Sequence, residues 1–157
     1  TTIDRWQTGL FLANTAATQV TILNSTFRAN VTGIGESAGG PTNVVAIEDS
    51  RFERNTTGVE AQASSLHVRE SLFTGNTNTG LQVGPGMAEV RQSVFSLNGA
   101  GIGTVTGGTV RVSRSHVFGN TVGFAAGAGS TFESFGTNVV RGNGTDTTGT
   151  ITTIPEQ

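Results

Sequence analysis

An apolar residue followed three positions later by asparagine recurs six times along the chain: Phe27 and Asn30, Phe52 and Asn55, Phe73 and Asn76, Phe95 and Asn98, Val117 and Asn120, Val140 and Asn143. Two residues before each apolar position stands a small polar one, in turn Ser25, Ser50, Ser71, Ser93, Ser115 and Asn138, at intervals of 25, 21, 22, 22 and 23 residues. A period of this length means one small unit stacked on itself. Five of the six units run on to a glycine: Gly33, Gly58, Gly80, Gly101 and Gly123. Stacking confines each unit's contacts to its neighbours and draws the core out into a column.

Within a unit the apolar positions fall into three short clusters, too short for helix and patterned as strand. The first alternates, as in Val20 and Ile22, Val45 and Ile47, Leu66 and Val68, Ala88 and Val90, Val110 and Val112. Period two puts both members of each pair on one face, toward the core. The second cluster is the Phe or Val of the opening motif, and the third follows the glycine: Leu10, Ile34, Val59, Leu81, Ile102, Phe124. Three strands in about 22 residues leave no room for an antiparallel return, so like columns stack in parallel. The expected fold is therefore all-β, a parallel β-solenoid of about six coils of 21–25 residues with three short strands per coil. Residues 1–143 form the coils and 144–157 a C-terminal tail or cap. The Asn column reads as scaffold, because Asn tolerates a left-handed turn and stacked amides bond one another.

Composition narrows the function. The chain has 157 residues, enough for one domain, with no cysteine, which removes disulfides and thiolate metal sites. A net charge of -2 gives no basic footprint for nucleic acid, so no nucleic-acid partner is expected. All nine basic residues are arginine and no long apolar run exists, so no membrane contact is expected either. His67 and His116 fall on different columns, so no metal site and no cofactor are expected.

The S-x-F-x-x-N-x-x-G coils resemble right-handed parallel β-helix proteins of the pectate-lyase-like superfamily. More narrowly they are similar to uncharacterised secreted bacterial β-helix-repeat proteins, as are the stretch Ser134–Asn138, the run Gly142–Gly144 and the ending Thr153–Gln157. The resemblance implies a right-handed coil and a secreted or periplasmic location. It is weak for function, since one solenoid hosts lyases, hydrolases and adhesins. Thr1 already aligns with the Ser column, Ile3 with the Phe column and Gly9 with the glycine column. The chain thus opens in mid-solenoid, and an uncapped first coil invites self-association or a partner. Trp6, at the Asn position of that coil, is expected to help close this end, and Ile151 and Ile154 to fold over the other.

Chemistry is sought on the outward columns. Beside the first cluster they bring together His67, Arg69, Glu89, Arg91 and Arg111, with His67 above Glu89, Glu89 above Arg111 and Glu48 against Arg69. These are the candidate ligand-binding residues, a platform where arginines hold carboxylates or sugar acids. Cross-strand ion pairing explains the same pattern without a ligand. The enzyme alternative is the pair Asp49 and Glu70, stacked at one turn as for a retaining glycosidase or a lyase's calcium site. Beside the Phe column, Leu72, Val94, Phe118 and Val139 form a candidate interface stripe. The longest insertion lies between Gly33 and Val44, where the strand is expected to end early and leave Glu36 facing water. The leading expectation is a non-catalytic secreted module acting as a structural or polysaccharide-recognition surface. Its alternative is a polysaccharide lyase or glycoside hydrolase.

Overall fold

A computed structural model describes residues 1–13, 16–39 and 42–155. Gly40 and Pro41 of the insertion, and Glu156 and Gln157 of the terminal motif, lie outside the described residues. Each coil gives one strand to each of three seven-stranded sheets, and neighbouring strands pair in parallel. The first sheet comprises Thr2–Asp4, Thr26–Arg28, Arg51–Glu53, Leu72–Thr74, Val94–Ser96, His116–Phe118 and Val139–Val140. The second comprises Thr8–Leu12, Thr32–Glu36, Thr57–Ala61, Thr79–Val83, Ala100–Thr104, Val122–Ala126 and Thr145–Thr148. The third comprises Gln19–Leu23, Asn43–Glu48, Ser64–Arg69, Gly86–Arg91, Gly108–Ser113, Thr131–Phe135 and Thr152–Ile154. The result is the right-handed parallel solenoid that the repeat and the resemblance predict. Seven layers about 4.8 Å apart make a column about 30 Å tall.

The register follows the sequence columns. Phe27, Phe52, Phe73 and Phe95 stack face to face, with ring centroids 5.1, 4.7 and 4.5 Å apart in turn. The close approach of one coil's backbone to the next dictates the glycine column. A Cβ on Gly80 would lie 2.7 Å from the Gly101 carbonyl oxygen, closer than a side chain tolerates, and 3.1 Å from Cδ1 of Phe95, a tight contact. The Asn column is buried and runs in one direction. Asn76 Nδ2 donates to Asn98 Oδ1 at 2.8 Å and to the Phe52 carbonyl at 3.0 Å, while its own Oδ1 accepts from the backbone and side-chain nitrogens of Asn55, each at 3.0 Å. Every polar atom of the amide is thus satisfied away from water. Asp146, at the glycine position of the last layer, ends the ladder by accepting from Asn143 N and Nδ2. The Ser column works alike: Ser71 Oγ donates to the Arg69 carbonyl and accepts from the Ser50 N–H.

Three expectations change at the ends and the insertion. Glu36 does not face water. Its strand runs through it, in register with Leu12, and the side chain is only 9% exposed on the inward column that Ala61 occupies one coil later. There its carboxylate accepts from the Gln62 N–H at 2.7 Å. The insertion that follows is long enough to let the strand finish before the chain turns. Trp6 does not close the first coil: its backbone N–H donates to Asn30 Oδ1, but its indole is 65% exposed. At the other end Thr145–Thr148 and Thr152–Ile154 extend the second and third sheets, and Ile151 packs against the core, while Ile154 aligns with Phe135. The terminal residues are built as further strands of the stack.

Candidate functional site

The third sheet places two charged columns side by side on its outer face. Alternation turns Val68, Val90 and Val112 inward and so turns His67, Glu89, Arg111 and Glu133 out in one column. Glu48, Arg69, Arg91 and Ser113 form the next. Where this face bends toward the first sheet it holds a cleft of about 820 Å³. Four arginines, Arg69, Arg91, Arg111 and Arg114, line it against two glutamates, Glu48 and Glu89. Phe135, Ile154 and Pro155 form its apolar side. All five candidate ligand-binding residues, His67, Arg69, Glu89, Arg91 and Arg111, therefore come together in one concavity.

Rotamers divide the charges in ways that register alone does not specify. Glu89 Oε2 lies 3.6 Å from His67 Nδ1 and 3.5 Å from Arg91 Nη2, so this carboxylate sits between an imidazole and a guanidinium. Arg111 is aligned with Glu89, yet its Nε donates to Glu133 Oε2 at 2.7 Å, one coil further on. That bond raises the Arg111 pKa and holds the guanidinium charged. Arg69 is aligned with Glu48 but its ion pair, at 3.4 Å, is with Glu70. These pairs lie at the surface, where solvent screens them and they add little to stability. A carboxylate-bearing ligand can compete for such arginines at little cost to the fold.

Asp49 and Glu70 are neighbours at the corner between the third and first sheets, both exposed and both in the left-handed region, with φ of 45° and 50°. Neither lines the cleft, and Glu70 is taken up by Arg69. Among the described residues no cluster of three or more His, Cys, Asp or Glu has the spacing of a metal site. Of the interface candidates, Leu72 and Val94 are adjacent and half-buried on the first sheet. His116 stands between Val94 and Val139, and Phe118 lies on the parallel column beyond Ser96, so the four are spread over the sheet instead of forming one stripe.

Reading the sequence alone missed the cleft's apolar side. Phe135 and Ile154 are aligned with each other and continue the outward column of Arg69, Arg91 and Ser113. The signal was the alternation Thr131, Phe132, Glu133, Ser134, Phe135, in which Phe132 is inward and Phe135 therefore outward.

Comparison with known proteins agrees with this architecture. A family model described as a right handed beta helix region matches residues 1–144. Neither the curated proteins nor the solved structures searched returned a match.

Proposed function

The chain belongs to the right-handed β-helix family, and from that footing we propose that it is a non-catalytic, secreted or periplasmic recognition module whose third-sheet cleft binds polysaccharide. The observation that carries the reading is the cleft's make-up: four arginines against two glutamates, beside the apolar side chains of Phe135 and Ile154. Guanidinium forks suit carboxylates and hydroxyl-rich rings, and an apolar side suits the carbon face of a sugar. The aligned coils place successive outward side chains about 4.8 Å apart along the column, so one extended chain can meet several of them in turn. The paired acids Asp49 and Glu70 lie outside this cleft, which favours binding over turnover.

A glycan array followed by calorimetry tests the proposal. Polysaccharide binding without product formation is the expected outcome, with affinity falling about tenfold or more in Arg69→Ala and Arg111→Ala, the loss typical of a charge-assisted hydrogen bond. Product formation that disappears in Asp49→Asn or Glu70→Gln would replace this reading with a lyase or hydrolase.

A further inference from the structure

A shallow, open depression of about 570 Å³ lies at the corner between the first and second sheets. It is lined by Arg5, Trp6, Gln7, Arg54, Thr56 and Thr77 together with Asn30, Asn55, Ala29 and the exposed Val31, and no carboxylate lines it. Its composition departs from the rest of the surface in two ways. First, Trp6 is the chain's only tryptophan, and it takes the position that buried Asn fills in later coils. Its backbone joins the ladder while its indole, too large for the core, is turned into solvent. Second, Arg28, Arg51, Arg69, Arg91 and Arg111 each hold a carboxylate, whereas Arg5, Arg54 and Arg141 have no side-chain partner among the described residues, and the first two of these three line this corner. These two stand in corresponding turn positions two coils apart, about 10 Å along the column, with Ala29 between them.

We propose that this corner is a second binding site, independent of the third-sheet cleft, for an anionic pyranose. The aromatic face carries the negative side of the ring quadrupole, and the polarised C–H bonds on one face of a pyranose pack onto it. Two unpaired guanidiniums, with no acid in the lining to neutralise them, select a ligand bearing a carboxylate or a sulfate ester. Gln7, Thr56 and Thr77 are exposed on the rim, where an amide and two hydroxyls meet ring hydroxyls. That polar rim distinguishes a sugar from a flat aromatic acid. The exposed Arg5 and Arg54 occupy left-handed turns, with φ of 62° and 54°, so their side chains project from the corner instead of lying along a strand.

Because Trp6 is the one tryptophan and the chain has no tyrosine, its emission reports on this corner directly. The whole chain is titrated with glucuronate, glucose 6-sulfate, glucose and benzoate. A saturable emission change with an anionic sugar, at least tenfold weaker with glucose and with benzoate, is expected, and the tighter of the two anionic sugars identifies the anion. Arg54→Ala should weaken that response about tenfold, and Arg111→Ala should leave it unchanged. A response that survives Arg54→Ala, one equally strong with glucose or benzoate, or no saturable response at all overturns the proposal. Calorimetry in an Arg69→Ala, Arg111→Ala background, which silences the third-sheet cleft, checks that heat and emission report one event: binding retained in Trp6→Phe supports stacking, and binding unchanged in Trp6→Ala refutes it. Loss of polysaccharide binding in Arg111→Ala leaves this site untouched, so the two readings fail separately.

Discussion

Glu36 is the residue whose environment departs furthest from what its type prefers. A carboxylate on an inward column loses water, and burial raises its pKa above the ordinary carboxylate value, while the Gln62 N–H and the Ser64 hydroxyl draw it partly back. The Ser64 hydroxyl is buried and faces the carboxylate without the geometry of a hydrogen bond, and it has no other partner. The sign of the pH effect follows from the raised value. Below the unfolded carboxylate pKa, about 4.3, Glu36 is neutral in both states and the fold bears no charge penalty. As pH rises through the raised folded value, the native state must bury a charge and stability falls. Glu36→Gln keeps an acceptor for the Gln62 N–H and removes the charge. Urea midpoints over a pH series should show the variant more stable than the parent at pH 7, with the gap closing in acid. A gap that does not change with pH would mean that the Glu36 pKa is the same in the folded and the unfolded chain. The sequence column already placed Glu36 opposite Ala61. What could not be read there was whether the strand reached that far, since the insertion after it breaks the repeat on which register depends.

At the scale of the element, three ladders share one logic: each repeats a single residue type so that every coil satisfies the one before it. The Phe stack contributes burial, the Asn column saturates the turn's polar groups, and the glycine column lets the backbones of adjacent coils approach one another. Phe95 joins all three, because it stacks on Phe73, its ring crowds the glycine column at Gly80, and its carbonyl accepts from Asn120 Nδ2 at 3.0 Å. Phe95→Ala should therefore cost about 3–5 kcal/mol in chemical denaturation, the cavity included. A smaller loss would show that the neighbouring coils collapse into the space. The Phe and Asn ladders were legible, since period two and period 22 together assign each side chain to a face, whereas the backbone approach that requires the glycine column, inside the second-sheet strands, was not. Nor were the ion pairs on the outer face. Arg69 is aligned with Glu48 and Arg111 with Glu89, yet they pair with Glu70 and Glu133, and side-chain rotamers, which the repeat does not encode, make that choice.

For the whole molecule, stability is a sum of interfaces between adjacent coils with few contacts skipping a layer. Coils in the middle of the stack are paired on both sides, and those at either end of the described chain on one. Hydrogen exchange should accordingly be graded, slowest in Leu72–Thr74 and Val94–Ser96 and faster toward Thr2–Asp4 and Val139–Val140. Uniform protection from end to end would instead mean that the solenoid opens as one unit. The same linearity explains what the amino-acid sequence determined alone. Neighbour-to-neighbour stacking makes fold, handedness of side chains to face, core and the membership of the charged columns local properties, each visible in about two repeats. Tertiary structure decided what depends on the closing of the column: the depth at which Glu36 lies, the outward turn of the Trp6 indole, and the meeting of Phe135 and Ile154 with Arg69, Arg91 and Arg111 in one cleft. Those features join residues from the ends and corners, where the repeat lapses and packing between coils, instead of the pattern within them, sets each side chain's surroundings.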